Sequence, residues 1–112
     1  MRVVTGNPDT RRDYTDVRDV VRAYRLLAVS GEPGEAYNVC SGRTASAAEL
    51  VQALAAGTGT AVAHVVDPSL VRAHEVMEIR GSADKLRAST GWEPEIPLEQ
   101  TLADAVASFR AD

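Results

Sequence analysis

The sequence predicts an α/β fold in which short apolar strands alternate with amphipathic helices. Three apolar segments have the length and composition of strands, namely Met1 to Thr5, Glu35 to Cys40 and Val62 to Val66. Elsewhere apolar residues recur at helical spacing, and glycine or proline stands at the ends of these stretches. The predicted order is strand, helix, strand, helix, strand, loop and two further helices.

The first strand ends at a turn from Gly6 to Asp9, and the first helix follows from Asp16 to about Val29. Thr15 or Asp16 can cap this helix, because a short side-chain oxygen there accepts a backbone N–H from the first turn. Helical spacing predicts one apolar face, which must pack on something, and a second, cationic stripe. The apolar face consists of Val17, Val20, Val21, Tyr24 and Leu27, and the stripe of Arg18, Arg22 and Arg25.

The segment from Gly31 to Gly34 ends the first helix, and the second predicted strand runs from Glu35 to Cys40. Ligands collect at the carboxyl ends of strands in parallel α/β sheets, so the loop from Ser41 to Thr44 is a candidate for polar ligand contacts. Cys40 lies in the apolar strand pattern without an adjacent histidine. This environment favours a buried structural thiol over a nucleophile.

Ser46 and Glu49 have the spacing of a capping box at the start of the second helix, which ends at the segment from Gly57 to Gly59. Its inward residues are predicted to be Ala47, Leu50, Val51 and Leu54. Asp67-Pro68 ends the third strand. The segment from Ser69 to Arg80 mixes arginines and glutamates without periodicity, which predicts a loop over a cleft.

Two helices, from Asp84 to Ser89 and from Leu98 to Arg110, complete the predicted order. The residues of the last helix that are predicted to face inward are Leu98, Leu102, Ala105 and Phe109. Trp92 lies between the two helices, and we interpret it as a packing anchor for them. A base-stacking platform is the alternative.

Composition excludes several classes of function. The 112 residues make one domain or less, and the net charge of −4 argues against a nucleic-acid partner, because phosphate binding needs a basic surface. The single cysteine, together with the lack of a signal peptide or membrane span, favours a cytoplasmic protein. His64 and His74 have no acidic or cysteine ligand at metal spacing, so no metal site is predicted.

The segment from Arg12 to Tyr24, RDYTDVRDVVRAY, resembles the RDFTDVRDVVRAY signature of extended short-chain dehydrogenases/reductases that act on nucleotide sugars. The similarity is strongest to the branch of GDP-mannose 4,6-dehydratase and GDP-4-keto-6-deoxymannose reductase. Within this branch, the residues of the motif favour the reductase. The segment from Tyr37 to Gly42, YNVCSG, is similar to a strand and turn of the same family. Both motifs belong to the C-terminal part of those enzymes, so the chain resembles only that part.

Two later segments extend the resemblance in the right order, so that it covers nearly the whole chain. Arg72 to Val76, followed by Gly81, resembles the family element R-P-x-(D/E)-V…G-D, with Ala73 in place of proline and Ser82 in place of the usual aspartate. The tail that includes Lys85-Leu86-Arg87 and Thr90-Gly91-Trp92-Glu93-Pro94 resembles K-L…G-W-x-P.

The resemblance implies that residues 1–112 form a single partial domain, the C-terminal substrate-binding portion of an extended Rossmann-type fold whose Rossmann core is missing. It implies that Arg12 and Arg72 hold the pyrophosphate of a GDP-sugar and that Glu75 contacts the nucleoside. Two guanidinium groups can grip a pyrophosphate bidentately, at about 1.5–3 kcal/mol for each charged hydrogen bond. From composition alone, the alternative is that both arginines are solvated or paired with Asp13 and Glu75.

The resemblance also implies NADP or NAD in the complete enzyme, yet the sequence assigns no cofactor-binding or catalytic residue within this chain. A Rossmann fingerprint needs glycines between a first strand and its helix, and no G-x-x-G-x-x-G stretch occurs. The family's acid/base pair is Tyr-x-x-x-Lys, in which lysine lowers the tyrosine pKa. The residues four positions after Tyr14, Tyr24 and Tyr37 are Arg18, Ala28 and Ser41.

Two functions follow from these observations. The first is the nucleotide-sugar-binding part of a dehydratase or reductase, not catalytic by itself. The second is a stand-alone α/β binding or interaction module without enzymatic activity. We favour the first, because a strand at the very N-terminus is easier to explain if upstream sequence has been lost. Apolar strands with unpaired edges also predict that the chain self-associates or needs the missing Rossmann portion.

Overall fold

A computed structural model of the chain describes residues 1–111 and confirms the α/β class. The strands are β1 (Arg2–Thr5), β2 (Arg11–Asp13), β3 (Thr44–Ser46), β4 (Ala63–Val66) and β5 (Glu78–Ile79). The helices are α1 (Val17–Ser30), α2 (Ala47–Thr58), α3 (Asp84–Thr90) and α4 (Leu98–Ala111), and a 3-10 turn spans Pro68–Leu70. The first and third predicted strands correspond to β1 and β4.

The strands form two small sheets. β1 and β4 pair in parallel, with Arg2 opposite Ala63 and Thr5 opposite Val66. In the second sheet β2 is central, antiparallel to β3 and parallel to β5. β2 has the sequence Arg-Arg-Asp and lacks the apolar alternation by which a strand is identified. It is a strand because its backbone is paired on both sides, so tertiary context overrides local propensity here.

The predicted strand from Glu35 to Cys40 is wrong, because this segment joins no sheet within the described residues. Its apolar side chains, Tyr37, Val39 and Cys40, instead pack against the buried cluster between α1 and α3. Lys85 Nζ donates a hydrogen bond of 2.8 Å to the carbonyl of Ala36. The apolar pattern that indicated a strand therefore reports burial of side chains, without a neighbouring strand for the backbone.

The helix boundaries agree closely with the sequence. Asp16 caps α1, since its Oδ1 accepts from Arg18 N at 2.8 Å. The capping box of α2 is present, because Ser46 Oγ accepts from Glu49 N at 3.1 Å and Glu49 Oε2 accepts from Ser46 N at 3.2 Å. Gly59 ends α2 at a φ of 65°, in the left-handed region that suits glycine. α3 and α4 begin where predicted and end one residue later.

Most of the buried hydrophobic side chains lie between α1 and α3. Ala23, Ala83, Leu86 and Trp92 form this cluster. The indole of Trp92 is completely buried, and its Nε1 donates to the Asp19 carbonyl at 2.9 Å. The interpretation of Trp92 as a packing anchor is confirmed, but it joins α3 to α1 rather than to the last helix.

The apolar face predicted for α1 is largely wrong. Val17, Val21 and Tyr24 are 70%, 50% and 62% exposed, and we call these three residues the α1 strip. The buried side of the helix is formed by Asp19 and Ala23 instead. The helix is turned this way because the Asp19 carboxylate accepts hydrogen bonds from the backbone N–H groups of residues 95 and 96.

The cationic stripe predicted on α1 is only partly solvated. Arg18 pairs with Asp16 and Asp104 at 2.8 Å each. Arg22 pairs with Asp19 at 3.1 Å and lies over the Trp92 ring. Arg25 is exposed and makes no ion pair within residues 1–111. Of the three arginines in the stripe, only Arg25 is exposed without an ion pair among residues 1–111.

The inward face predicted for α4 is half correct. Leu98 and Leu102 are half-buried, but Ala105 is exposed and Phe109 is 83% exposed. Val106 takes the inward position, next to an apolar cavity of 290 Å³ between α2, α4 and the β1–β4 sheet.

The chain is a flat slab of about two layers. Its extents are 47 × 38 × 19 Å and its radius of gyration is 16.7 Å, against about 13 Å for a compact domain of about 100 residues. Large apolar residues are exposed at several places along the chain, including Val29, Leu70 and Val76. Among residues 1–111, no helix is both long and apolar enough to cross a bilayer.

Candidate functional site

The Asp13 carboxylate at the end of β2 joins three segments of the chain. Its Oδ1 accepts from Ser41 N at 2.9 Å and from Ser41 Oγ at 2.8 Å. Its Oδ2 accepts from Gly42 N at 2.9 Å and from Gly81 N at 3.1 Å. Burial alone would raise the pKa of Asp13, but these hydrogen bonds, that of the Ser41 hydroxyl first, outweigh it and lower the pKa. We call Asp13, Ser41, Gly42 and Gly81 the Asp13 junction.

The guanidinium of Arg12, the neighbour of Asp13, makes one hydrogen bond within residues 1–111. It is half-buried, and its Nη1 donates to the Arg11 carbonyl at 2.8 Å. Within residues 1–111 it forms no ion pair, so the alternative that Arg12 is paired with Asp13 is wrong. Asp13 cannot serve both roles, because its oxygens are already occupied by backbone and hydroxyl donors.

Arg11 points to the other face of the strand and is fully engaged. Its Nη1 and Nη2 donate to the two carboxylate oxygens of Glu49 at 2.8 and 3.3 Å. Its Nε donates to Thr44 Oγ1 at 3.0 Å. The Glu49 hydrogen bond raises the pKa of Arg11. Sequence reasoning missed this role, although strand alternation already places two consecutive arginines on opposite faces.

Glu75 has an unusual environment. Its side chain is half-buried, and Oε2 is the one buried side-chain nitrogen or oxygen among residues 1–111 without a hydrogen-bond partner. A carboxylate oxygen removed from water without a donor is costly, so such an atom calls for an explanation. Arg72, three residues earlier, is exposed and forms no ion pair with Glu75.

β5 brings the Glu75 segment to β2. Ile79 lies opposite Arg12 in the parallel pairing, and Arg11 N donates to the Met77 carbonyl at 2.7 Å. Glu75 is thus two residues from a chain position that is hydrogen-bonded to β2. Arg72 lies just after the 3-10 turn and outside this pairing. Arg12 therefore lies on the strand next to β5, Glu75 lies in the irregular chain three residues before β5, and Arg72 lies farther back in the same irregular chain.

Asp16 and Asp19 complete a series of aspartates spaced three apart that begins at Asp13. Hydrogen bonds from the Arg18 side chain, and also from Thr101, hold the pKa of Asp16 well below its usual value despite burial. Thr101 Oγ1 on α4 donates to Asp16 at 2.7 Å. Asp19 accepts from the N–H groups of residues 95 and 96 at 3.1 and 3.0 Å. The sequence identified Asp16 as a cap but not these links to distant segments.

The loop that was predicted to make polar ligand contacts lines a cleft of about 800 Å³. Ser41, Arg43 and Thr44 contribute to its wall, opposite the segment 94–99. Burial, and then the nearby Asp13 charge, raise the pKa of Cys40, as expected for a structural thiol. His64 is held by Thr5 at 2.6 Å. Residues 1–111 contain no group of three His, Cys, Asp or Glu side chains able to hold a metal ion.

Curated relatives match almost the entire chain but extend far beyond it. The GDP-6-deoxy-D-mannose reductase of Pseudomonas aeruginosa is 42% identical over 110 residues, which is 98% of this chain and 36% of that protein. The dTDP-D-glucose 4,6-dehydratase of Mus musculus is 30% identical, over 96% of this chain and 31% of that protein. The chain therefore spans about a third of the length of these relatives.

Solved structures match the fold equally well. RMD from Pseudomonas aeruginosa, solved in complex with NADPH, gives a TM-score of 0.91 at 37% identity, covering 98% of this chain and 36% of that one. The UDP-glucose 4-epimerase of Thermotoga maritima, solved with UDP-glucose, gives 0.86 at 32% identity, covering 99% and 35%. The present slab corresponds to one part of these larger α/β enzymes.

The strand-to-helix turns among residues 1–111 lack the glycine-rich pattern of a Rossmann dinucleotide site. Such a site needs a glycine-rich turn from a strand into a helix, where backbone N–H groups meet the pyrophosphate. The turn from β2 to α1 is Tyr14-Thr15-Asp16, and β3 runs directly into α2. Between β5 and α3 the only glycine is Gly81, whose N–H is given to Asp13.

The family comparison agrees with the sequence motifs. The model of the family described as GDP-mannose 4,6 dehydratase matches residues 1–105. The match includes β1 to β5, the Asp13 junction and most of α4. Together with the 42% identical reductase, it establishes that the chain belongs to the GDP-mannose 4,6 dehydratase family.

Proposed function

We propose that the chain is the nucleotide-sugar-binding part of an NAD(P)-dependent GDP-sugar dehydratase or reductase. In this proposal Arg12 and Arg72 hold the pyrophosphate and Glu75 contacts the nucleoside. The observation that carries it is the buried Glu75 Oε2 without a donor. A nucleobase N–H or a ribose hydroxyl would supply the missing hydrogen bond.

The environment of Arg12 supports a role in binding an anion. Arg11 on the same strand forms an ion pair with Glu49, whereas the Arg12 side chain donates only to a backbone carbonyl. Arg72 is exposed and without an ion pair in residues 1–111. A pyrophosphate bound by both would gain about 1.5–3 kcal/mol for each charged hydrogen bond. Because the net charge is −4, this attraction must come from local arginines.

The chemistry of the complete enzyme would come from outside residues 1–111. Relatives solved with NADPH and with NAD support a nicotinamide cofactor, which supplies hydride transfer when bound. The described residues include no turn that fits this cofactor and no tyrosine with a lysine four positions later. We therefore propose that the chain, a cytoplasmic protein, binds substrate without catalysing its conversion alone.

The test is binding of GDP-mannose to the 112-residue chain, measured by ligand-observed NMR or calorimetry. The same residues, exchanged for the matching third of the P. aeruginosa reductase, provide a second host. We expect weak binding that decreases as salt rises, because charge attraction is screened, and weaker binding of guanosine. Absence of binding in both hosts would contradict the proposal. Turnover by the chain alone, with NAD(H) or NADP(H), would contradict its non-catalytic part.

A further inference from the structure

We propose that Asp13 is a positioning residue of the nucleotide-sugar site, whose carboxylate fixes the strand carrying Arg12 against the chain that follows Glu75. This inference rests on the proposed function of Arg12 and Glu75. Asp13 itself would not contact the ligand, since both of its oxygens are already occupied by donors from the protein.

The geometry of the junction shows what Asp13 holds together. The pairing of β2 with β5 contains only two positions, Arg11 opposite Glu78 and Arg12 opposite Ile79. A ladder this short is weak by itself. The Asp13 carboxylate accepts a hydrogen bond from Gly81 N at 3.1 Å, two residues beyond Ile79. This bond extends the contact between the two strands past the end of their backbone pairing. The same oxygen bonds Gly42 N at 2.9 Å, which fixes the loop beside it.

The junction requires an acceptor at both side-chain oxygens. Four donors converge on Asp13, three of them backbone N–H groups. Asparagine could place one oxygen on Ser41, but its Nδ2 would then face the N–H groups of Gly42 and Gly81. Gly81 is equally constrained, because a Cβ there would approach Cys40 Sγ to 2.7 Å. The close approach of Gly81 thus depends on its having no side chain.

Asp13 acts on Arg12 through the backbone. The one hydrogen bond of the Arg12 guanidinium is to the carbonyl of Arg11, on the same strand. No other segment among residues 1–111 hydrogen-bonds this side chain, so the placement of β2 determines where the guanidinium lies. Asp13, the last residue of β2, contributes to that placement directly.

The test compares Asp13→Asn with Asp19→Asn in the full chain and in the chimeric reductase. Asp19 is the matched control, since its carboxylate also accepts two backbone N–H groups but lies on α1, away from the junction. We expect faster hydrogen exchange at Gly42 and Gly81 and about tenfold weaker GDP-mannose binding for Asp13→Asn, the loss of about one charged hydrogen bond. Asp19→Asn should lower thermal stability but change binding by less than about twofold.

A double-mutant cycle separates positioning from general destabilisation. If Asp13 acts through Arg12, the variant with both Arg12→Lys and Asp13→Asn should bind about as weakly as Asp13→Asn alone. Additive losses would overturn the inference. If Asp13→Asn does not fold, Ser41→Ala removes one of the four donors, and binding should weaken by about two- to threefold with unchanged circular dichroism.

The outcomes also distinguish this inference from the function on which it rests. If wild type does not bind GDP-mannose in either host, the proposed function fails and the positioning role fails with it. If wild type binds and Arg12→Lys weakens binding, but Asp13→Asn equals Asp19→Asn, only the positioning role is overturned.

Discussion

At the residue scale, the informative contrast is between side chains with complete and incomplete sets of partners. Arg11 donates to Glu49 and Thr44, and Asp13 accepts four hydrogen bonds. Glu75 Oε2 has none. Folded proteins rarely leave a buried polar atom unpaired, so the few that remain indicate where a ligand or another protein atom belongs. Predictions about binding therefore centre on Glu75 and on the arginines without ion pairs.

Arg72→Lys should weaken GDP-mannose binding about tenfold, although the charge is kept. Lysine lacks the planar fork that binds two phosphate oxygens at once. Arg25→Lys is the control, because Arg25 is exposed and has no ion pair among residues 1–111. Calorimetry of both variants in the same host measures the difference. Equal affinities for wild type and both variants would show that Arg72 is only a surface charge.

Glu75→Gln should change stability and binding in opposite directions. Replacing a charged, unpartnered carboxylate by a neutral amide should raise the free energy of unfolding by about 1 kcal/mol. Binding of GDP-mannose should weaken, whereas binding of inorganic pyrophosphate should stay the same, since Glu75 is assigned to the nucleoside. Thermal denaturation and calorimetry measure these effects, with exposed Glu32→Gln as control. A variant that binds GDP-mannose as tightly as wild type would refute the assignment.

At the element scale, α1 shows which features a sequence can predict. Its start, cap and length were predictable because they depend on neighbouring residues. Its buried face was not, since Asp19 is drawn inward by the N–H groups of residues 95 and 96, far along the chain. β2 and β5 escaped prediction for the same reason, because pairing alone defines them. The candidate residues came from the family motif, and the contacts of Asp13 came only from the structure.

Acid should loosen the attachment of α1 to α4. The pKa of Asp16 is lowered in the folded chain, so its contribution to stability is present above the ordinary aspartate value of 3.8 and is lost as the pH falls below it. Asp16→Asn should be less stable at neutral pH and should lose less stability on acidification. Urea unfolding between pH 7 and acidic pH measures this, with exposed Asp9→Asn as control. Identical pH profiles for Asp16→Asn and wild type would contradict the prediction.

At the scale of the whole molecule, the slab buries few apolar side chains for its length. Five hydrophobic residues are buried among residues 1–111, while the α1 strip and several strand residues face solvent. Apolar patches of this kind usually mark contact surfaces. About two thirds of the length of each longer relative lies outside the part matched by this chain, and protein of that extent could cover such patches.

The isolated chain should therefore self-associate or have a low melting temperature. Val21→Lys with Tyr24→Lys should reduce association without lowering the melting temperature, since both side chains are at least half exposed. Leu86→Ala, in the buried cluster, should instead cost about 2–5 kcal/mol. Light scattering and thermal melts provide the measurements. A monodisperse wild-type monomer with a sharp, high transition would count against this prediction and support an independent module.

Cys40 lies against Gly81 and can therefore serve as a chemical probe of local opening at the Asp13 junction. It is the single thiol of the chain, and its sulfur lies where a Gly81 side chain would otherwise be. Cys40 is half-buried, so movement of the chain around Gly81 away from it would expose more of the sulfur to an alkylating reagent, while burial raises the thiol pKa and slows the reaction in the closed chain. The labelling rate of Cys40 would thus report how often the Asp13 junction opens, and a bound nucleotide sugar that tightens the junction would lengthen the labelling half-time.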